Sequence, residues 1–226
     1  MVRLSAWKVG GMKVFFDVDG VLIDGWHADE SRRKPWDATI EADLGVDRCV
    51  FQSLFFGSVD TRSSSRMANC VRGRRDLKSS LAEVLPQTGY QGSVDDFVDY
   101  WFEKDSNVQR EVFALAGILK TRNVRIFVAT GQEHHRANFL WNDLRFCDYF
   151  EKMFYSAEMG LLKTENGFFE AINKALNIDP DERPIFFDDQ PEVVEVAKSA
   201  GWDAVAFNSV DDIRRHPRLK DLLGEA

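Results

Sequence analysis

Two carboxylates, Asp17 and Asp19, stand one residue apart directly after the short apolar run Lys13 to Phe16. In an extended chain, side chains two residues apart point to the same face, so both carboxylates can converge on one ligand. Two like charges at this distance are unfavourable unless a cation or a shared proton offsets them. The spacing therefore favours a hard divalent cation such as Mg²⁺, bound together with a substrate phosphate. Gly20 comes next and permits a sharp turn or a close backbone approach.

The same run has a simpler interpretation. Asp and Gly are common turn formers, so Asp17 to Gly20 is equally typical of a strand that ends in a turn. The choice between a cation site and a turn depends on what the rest of the chain places beside these carboxylates.

The elements that must position these residues follow from the apolar periodicity. From Gln109 onward the pattern alternates between helix and strand. The predicted strands are 13–16, 124–129, 153–155, 185–187 and 203–207, and the predicted helices include 136–144 and 191–200. This alternation predicts an α/β protein with a parallel sheet that helices cover on both faces.

Polar residues follow three further predicted strands, at the end where ligands bind in open α/β sheets. They are Thr130-Gly131-Gln132, Gly160-Leu161-Leu162-Lys163 and Asp188-Asp189. Each has an alternative interpretation: Thr130 as a helix N-cap, Lys163 as a surface lysine, and the Asp pair as a polar turn. Their occurrence in this order, at one end of one sheet, favours a joint functional site.

Residues 24–108 show no buried strand pattern and are predicted to form helices and loops. The candidate helices are 36–44, 47–56, 77–85 and 94–103. Ser93 followed by Asp96 resembles a capping box at the start of the last one.

Residues 60–78 are locally basic in a protein whose formal net charge is -8, and they include Arg62, Arg66, Arg72, Arg74 and Arg75. A solvated charged surface explains most side chains of such a stretch. The alternative is that one or two of these arginines bind an anionic substrate, because the planar guanidinium matches phosphate and carboxylate.

Composition narrows the class of protein. An acidic net charge of -8 argues against a general nucleic-acid binder. The three cysteines, Cys49, Cys70 and Cys147, have no metal-ligand spacing, and we expect free buried thiols in a reducing cytoplasm. No apolar run reaches the length of a membrane span. The expected partner is therefore a small molecule rather than nucleic acid or membrane.

Four motifs, in this order, resemble those of the haloacid dehalogenase superfamily: Phe-Phe-Asp-Val-Asp-Gly-Val-Leu, Val-Ala-Thr-Gly, Gly-Leu-Leu-Lys and Phe-Phe-Asp-Asp. The resemblance begins near Met12 and covers nearly the whole chain. It implies a Rossmann-like catalytic core of residues 12–24 and 109–226, with a small helical cap, residues 25–108, inserted after the first motif. The helical prediction for the insert agrees with the helical-cap subgroup, which contains dehalogenases and many small phosphatases.

The resemblance also implies a role for each motif. Asp17 would be the nucleophile and a Mg²⁺ ligand. Asp19 would act as general acid and then base, with its main-chain carbonyl on the metal. Thr130 would hydrogen-bond the transferring phosphoryl group, Gly131 would lie against the substrate, and Lys163 would neutralise charge.

The last motif supplies the remaining metal ligands. The resemblance implies that Asp189 ligates Mg²⁺ and that Asp188 supports it, directly or through water. Many relatives carry Asn where this chain has Val193 and Gly131. These differences concern residues that support the site, so they affect the expected catalytic rate more than the expected class of reaction.

These residues favour a Mg²⁺-dependent phosphatase that acts on a small phosphorylated metabolite. A phosphomutase of the same fold is one alternative, and a binding or regulatory protein that has lost turnover is another. Dehalogenation is not expected, because halide leaves without a proton whereas an alkoxide needs a general acid. The dehalogenases lack an acid at the position that Asp19 occupies.

Overall fold

The computed structural model describes residues 11–24 and 35–224 of the chain. Its centre is a sheet of five parallel strands in the order β3-β2-β1-β4-β5. The strands are β1 Lys13–Phe16, β2 Arg125–Thr130, β3 Met153–Tyr155, β4 Ile185–Asp188 and β5 Asp203–Ala206. All five lie within one residue of their predicted bounds, and the predicted α/β class with a Rossmann-like parallel sheet is confirmed.

Helices precede, connect and follow the strands. Before β2 they are α1 Ile40–Leu44, α2 Arg48–Phe51, α3 Arg66–Val71, α4 Leu77–Val84, α5 Val94–Lys104 and α6 Arg110–Thr121. After β2 they are α7 His134–Asn138, α8 Ser156–Met159, α9 Gly167–Ala175, α10 Pro191–Ser199, α11 Val210–Arg214 and α12 Lys220–Leu223. Two π-helical segments, Gln52–Phe56 and Phe139–Asp143, continue α2 and α7. Short 3₁₀ turns are Arg62–Ser64, Leu85–Thr88 and Phe146–Asp148.

Apolar side chains cover the sheet on both faces, because successive residues of a strand point to opposite sides. Val14 and Phe16 of β1 belong to one layer, which α6 covers. Phe15 and Phe127 belong to the other layer, where the Phe15 ring lies 4.4 Å from the ring of Trp202. This packing holds the central strand rigidly and with it the residues that follow.

The described part of the insert has a hydrophobic core of its own, formed by residues between Trp36 and Phe102. The rings of Trp36 and Trp101 stack within it, with centroids 4.6 Å apart. The insert leaves and rejoins the sheet at one place. Asp24 N donates to the carbonyl oxygen of Asn107 at 2.8 Å, and Gln109 N donates to that of Leu22 at 2.9 Å.

Several local predictions differ from the structure. The predicted helix 36–44 is shorter, because residues 36–39 form turns in which the buried Asp37 bonds Arg48 and Gln52. Helix α7 begins two residues before the predicted 136–144, because the Glu133 side chain caps it. Helix α3 was not predicted, since its polar residues obscure the short apolar spacing.

The expectation of buried thiols is wrong for two of the three cysteines. Cys70 is buried, whereas Cys49 and Cys147 are exposed. No helix in the described ranges is long and apolar enough to cross a bilayer.

Candidate active site

The carboxyl ends of β1, β2 and β4, together with the loop between α8 and α9, bring four of the predicted site residues together in the protein interior. Asp17, Thr130, Lys163 and Asp188 are all at most 6% exposed. The ammonium of Lys163 lies 2.6 Å from Oδ2 of Asp17 and 2.6 Å from Oδ2 of Asp188. One buried cation therefore joins the first motif to the last.

A second feature of the site is an excess of carboxylate oxygens. Ligand atoms of Asp17, Asp188 and Asp189 all lie within 4.8 Å of one another. Oδ1 of Asp17 and Oδ1 of Asp189 are buried, and neither has a hydrogen-bond partner among the described residues. Orphaned carboxylate oxygens in a cluster are costly unless a cation binds them. The donor set, all oxygen, suits Mg²⁺.

Burial is the main influence on the pKa values of these groups. Burial raises the pKa of Asp189 to about 7, and the charges of Asp17 and Asp188 add to the shift. Burial also raises the pKa of Asp188 to about 6, against the opposing charge of Lys163. The pKa of Asp17 is raised by burial, with Lys163 opposing. Burial alone would lower the pKa of Lys163, but the charges of Asp17 and Asp188 raise it above its ordinary value.

Asp19 is half-buried on the turn after β1, and its carboxylate has a partner that the sequence analysis did not identify. The side-chain amide of Gln132 donates to Oδ2 of Asp19 at 2.6 Å. Gln132 is 4% exposed and follows Thr130 by two residues. A buried amide directly after a predicted site residue is the signal that could have indicated this contact.

Gly20 holds the turn close to the last motif. Its φ is +84°, a conformation that non-glycine residues rarely adopt. A Cβ at this position would lie 2.3 Å from Oδ2 of Asp189. Glycine is therefore required for the first and last motifs to approach each other.

Thr130 and Gly131 lie where the second motif was predicted to contribute. Oγ1 of Thr130 is buried with no partner among the described residues, so the hydroxyl is available to a bound oxyanion. A Cβ on Gly131 would lie 3.7 Å from Cε of Lys163, which places the two predicted residues side by side.

A cavity of about 530 Å³ lies between the sheet and the insert. Asp19, Gly131, Gln132 and Leu162 line it from the sheet side. Side chains of the insert, among them Trp36, line the opposite side. The cavity gives a small organic molecule access to the Asp19 carboxylate.

No family model and no curated protein matches this chain, but solved structures do. One is a HAD family enzyme from Bacteroides thetaiotaomicron in complex with magnesium and inorganic phosphate, at 18% identity and TM-score 0.65, covering 90% of this chain and 99% of that one. A structure described as a predicted HAD-like family hydrolase, from Porphyromonas gingivalis, has 18% identity and TM-score 0.65, covering 95% and 98%. A 2-haloacid dehalogenase from Pseudomonas syringae pv. Tomato DC3000 has 20% identity and TM-score 0.61, covering 94% and 97%.

The chain has the haloacid dehalogenase fold.

In this haloacid dehalogenase fold, the insert carries the five arginines of which one or two were predicted to bind substrate. Arg62 is exposed and lines the cavity. Arg74 is exposed and is not among the residues that line the cavity.

The other three arginines bond to protein groups, and the structure does not bring them to the cavity. Arg66 donates to the carbonyl oxygen of Leu54 at 2.8 Å. Arg75 pairs with Glu83 within the insert. Arg72 reaches Glu165 of the haloacid dehalogenase core, with 2.8 Å between Nη1 and Oε1.

Arg72 therefore contributes to a contact between the insert and the loop that carries Lys163. Oε2 of Glu165 also accepts from the backbone N–H of Leu162 at 2.8 Å, so one carboxylate joins Arg72 to this loop. A second contact joins His135 Nε2 to Asp76 Oδ2 at 2.6 Å. The insert is thus held to the core on the side where the two form the cavity.

Proposed function

We propose that this protein is a Mg²⁺-dependent phosphatase of the haloacid dehalogenase superfamily, which hydrolyses a small organic phosphate monoester through an aspartyl-phosphate. On this proposal residues 12–24 and 109–226 form the catalytic core and residues 25–108 form the helical cap. The substrate is a small phosphorylated metabolite, and the enzyme works in the cytoplasm.

In the first step the Asp17 carboxylate attacks phosphorus, and the bond from phosphorus to the leaving oxygen breaks. Asp19 gives its proton to that oxygen, so the product leaves as an alcohol. The pairing of Asp17 with Lys163 supports this role, because a buried ammonium reduces the repulsion between an anionic nucleophile and an anionic phosphate. Thr130, with its unpartnered hydroxyl, hydrogen-bonds an oxygen of the transferring group.

In the second step Asp19 takes a proton from water, and the resulting hydroxide attacks phosphorus. The bond between phosphorus and Asp17 breaks, which releases inorganic phosphate and restores the carboxylate. Splitting hydrolysis in this way replaces one difficult step by two easier ones.

Mg²⁺ bound by Asp17 and Asp189, with support from Asp188 and the main-chain carbonyl of Asp19, would supply positive charge that neutralises the phosphate. The fit of these residues to a cation rests on their converging oxygens and on the two orphaned Oδ1 atoms. The Bacteroides structure that holds magnesium and inorganic phosphate supports the same assignment.

The observation that carries the choice of reaction is the Asp19 carboxylate, which borders the cavity and accepts a hydrogen bond from Gln132. A positioned acid beside the leaving-group site is needed for an alkoxide and is superfluous for a halide. The 2-haloacid dehalogenase from Pseudomonas syringae has the same fold, so fold alone does not separate the two reactions.

A panel of phosphate monoesters, assayed with Mg²⁺ for free inorganic phosphate, tests the proposal. We expect steady phosphate release from at least one ester, none in excess chelator, and no chloride from 2-chloropropionate. Isomerised substrate without free phosphate would indicate a phosphomutase. A protein that binds esters but turns none over would indicate a binding or regulatory role, and chloride release would overturn the choice of reaction.

A further inference from the structure

The cavity between cap and core lies on the side of the site where Asp19 meets the leaving group. Asp19, Gly131 and Gln132 form its core end. On the proposed function, on which this inference rests, the part of the substrate that leaves as an alcohol occupies this space. A volume of about 530 Å³ is within the range of pockets that enclose small organic ligands.

The walls of this cavity are largely apolar. The cap contributes aromatic and aliphatic side chains, among them Trp36, Phe56, Met67, Leu77 and Trp101. Such a surface contributes affinity by excluding water from an apolar ligand, and flat aromatic rings gain further from contact with aromatic walls. The polar lining residues of the cap include Ser63 and Ser65, but most of the exposed cavity wall is apolar and favours an apolar ligand over a sugar.

Besides Asp19 and Asp105, the lining contains two acidic side chains, Asp37 and Glu133, whose carboxylates have partners in the protein. The Asp37 carboxylate accepts from Arg48 at 3.0 Å and from Gln52. The Glu133 carboxylate accepts from the backbone N–H groups of His135, at 2.8 Å, and Arg136, at the start of α7. The carboxylates of Asp37 and Glu133 therefore stabilise the cap and the start of α7.

Arg136 is a buried cation in the lining, and its guanidinium is also bonded to protein groups. The Arg136 guanidinium donates to the carbonyl oxygens of Phe102, at 2.9 Å, and Asp105, and to Oγ of Ser106 at 2.9 Å. It thereby attaches α7 to the end of α5 and is oriented by the backbone.

Arg62 differs from these groups. Its side chain is exposed at the rim of the cavity, and none of the residues in the described ranges forms an ion pair or hydrogen bond with its guanidinium. A free guanidinium at the rim of an apolar cavity suits a second anionic group on the ligand, since arginine binds carboxylate and phosphate through paired hydrogen bonds.

We infer that the substrate is a phosphate monoester of a flat, apolar alcohol, aromatic in character, which carries a second anionic group that Arg62 binds. The monoester phosphate lies at Asp17, the apolar body fills the cavity, and the second anion lies at its rim. A sugar phosphate lacks the apolar body, and an unsubstituted aryl phosphate lacks the second anion.

Three probes distinguish the apolar body from the second anion: 6-carboxy-2-naphthyl phosphate has both, 2-naphthyl phosphate has only the apolar body, and glucose 6-phosphate has neither. With the wild-type protein and Mg²⁺, we expect kcat/KM to fall in that order. Arg62→Ala should lower kcat/KM for the carboxylated ester roughly tenfold, as expected for the loss of one charge-assisted bond, and should lower it less for 2-naphthyl phosphate, which lacks the carboxylate. Arg62→Lys should restore part of the loss.

Lys78→Ala is the matched control, because it removes a cap cation that pairs with Asp95 at the surface and does not line the cavity. We expect it to keep the wild-type preference between the two naphthyl esters. Ala68→Phe narrows the cavity, and it should lower kcat/KM for 2-naphthyl phosphate more than for methyl phosphate. Preference for glucose 6-phosphate, or equal losses on both naphthyl esters in Arg62→Ala, would overturn the inference.

Calorimetric titration of the Asp17→Asn variant with the same probes separates this inference from the proposed function. If no ester is hydrolysed, the phosphatase proposal fails. The inferred ligand class still stands if the carboxylated naphthyl ester binds most tightly and loses that advantage in Asp17→Asn/Arg62→Ala. Absence of binding by both naphthyl esters would overturn the ligand class itself.

Discussion

The side-chain amide of Gln132 lies 2.6 Å from Oδ2 of Asp19 and joins the second motif to the carboxylate proposed as general acid. Gln132 is 4% exposed and Asp19 is half-buried, so this hydrogen bond is partly buried. A partly buried hydrogen bond to one oxygen of a carboxylate fixes its rotamer. We therefore regard Gln132 as a positioning residue for Asp19.

Gln132→Ala should lower kcat for alkyl phosphates roughly ten- to hundredfold, because a misplaced acid loses part of its contribution to leaving-group protonation. The loss should be smaller for an aryl phosphate whose phenol is acidic, since that group departs with little protonation. The pH profile of kcat should shift as well. In an Asp19→Ala background the same substitution should add little, and fully additive losses would contradict the positioning role.

Asp17→Asn should reduce phosphate release to background, because the amide has nearly the shape of the carboxylate and lacks its nucleophilicity. Circular dichroism should show an unchanged fold, since Lys163 keeps its contact with Asp188. A variant that retains most of the wild-type rate would show that a different carboxylate is the nucleophile.

Thermal stability without metal should depend on pH through the acid cluster. The pKa values of Asp188 and Asp189 are about 6 and about 7 in the folded protein, against an ordinary value of 3.8. Between about pH 4 and about pH 7, Asp188 and Asp189 are therefore largely protonated in the folded state but ionised in the unfolded state. The free energy of unfolding therefore falls as pH rises from about 4 to about 7 and then levels off.

Mg²⁺ should counteract this loss, because it binds the ionised carboxylates. We expect Mg²⁺ to raise Tm more at about pH 8 than at about pH 5, measured by differential scanning fluorimetry. Asp189→Asn should remove most of the Mg²⁺-dependent rise and should weaken the pH dependence of the metal-free protein. An equal rise at both pH values would contradict the assignment of this cluster to the metal.

Gly20→Ala should impair Mg²⁺ binding without removing any ligand. Its Cβ would lie 2.3 Å from Oδ2 of Asp189, so the carboxylate must move, and the φ of +84° adds strain. We expect a weakened Mg²⁺-dependent rise in Tm and a loss of phosphate release. Gly45→Ala is a suitable control, since Gly45 also has a positive φ but has open space at its Cβ. Similar effects from both substitutions would attribute the loss to backbone strain alone.

Arg72→Ala should weaken the contact of the insert with the loop that carries Lys163. We expect kcat/KM to fall severalfold, with a larger effect than Lys104→Ala, which breaks an exposed ion pair with Asp43 inside the insert. Expressed as free energies, the loss of kcat/KM in the double variant Arg72→Ala/Glu165→Gln should be smaller than the sum of the losses in the two single variants. Additive losses would show that the two side chains act independently.

The sheet could be predicted from the sequence because its strands are short, apolar on both faces and separated by helices. Four of the five strands are followed by a recognisable polar motif, so Asp17, Thr130, Lys163 and Asp188 could be placed together before their distances were known. Local spacing carries this information directly.

Contacts between segments that are distant in the sequence could not be predicted from local spacing. Gln132 bonds Asp19 across more than a hundred residues of sequence, and no local periodicity encodes that partner. The five arginines of the insert look alike in sequence, yet three of them bond to protein groups and, of the five, only Arg62 lines the cavity. Which charge is free depends on tertiary partners that a single sequence does not contain.

The insert leaves the sheet after Leu22 and returns at Gln109, and these two residues share a backbone hydrogen bond of 2.9 Å. Its two ends are therefore neighbours, as are the ends of a closed loop. Extra length or a different sequence between them does not change the distance that the chain must span to pair β1 with β2. This geometry allows the insert to change in length or sequence while the carboxylates at the sheet edge keep their positions.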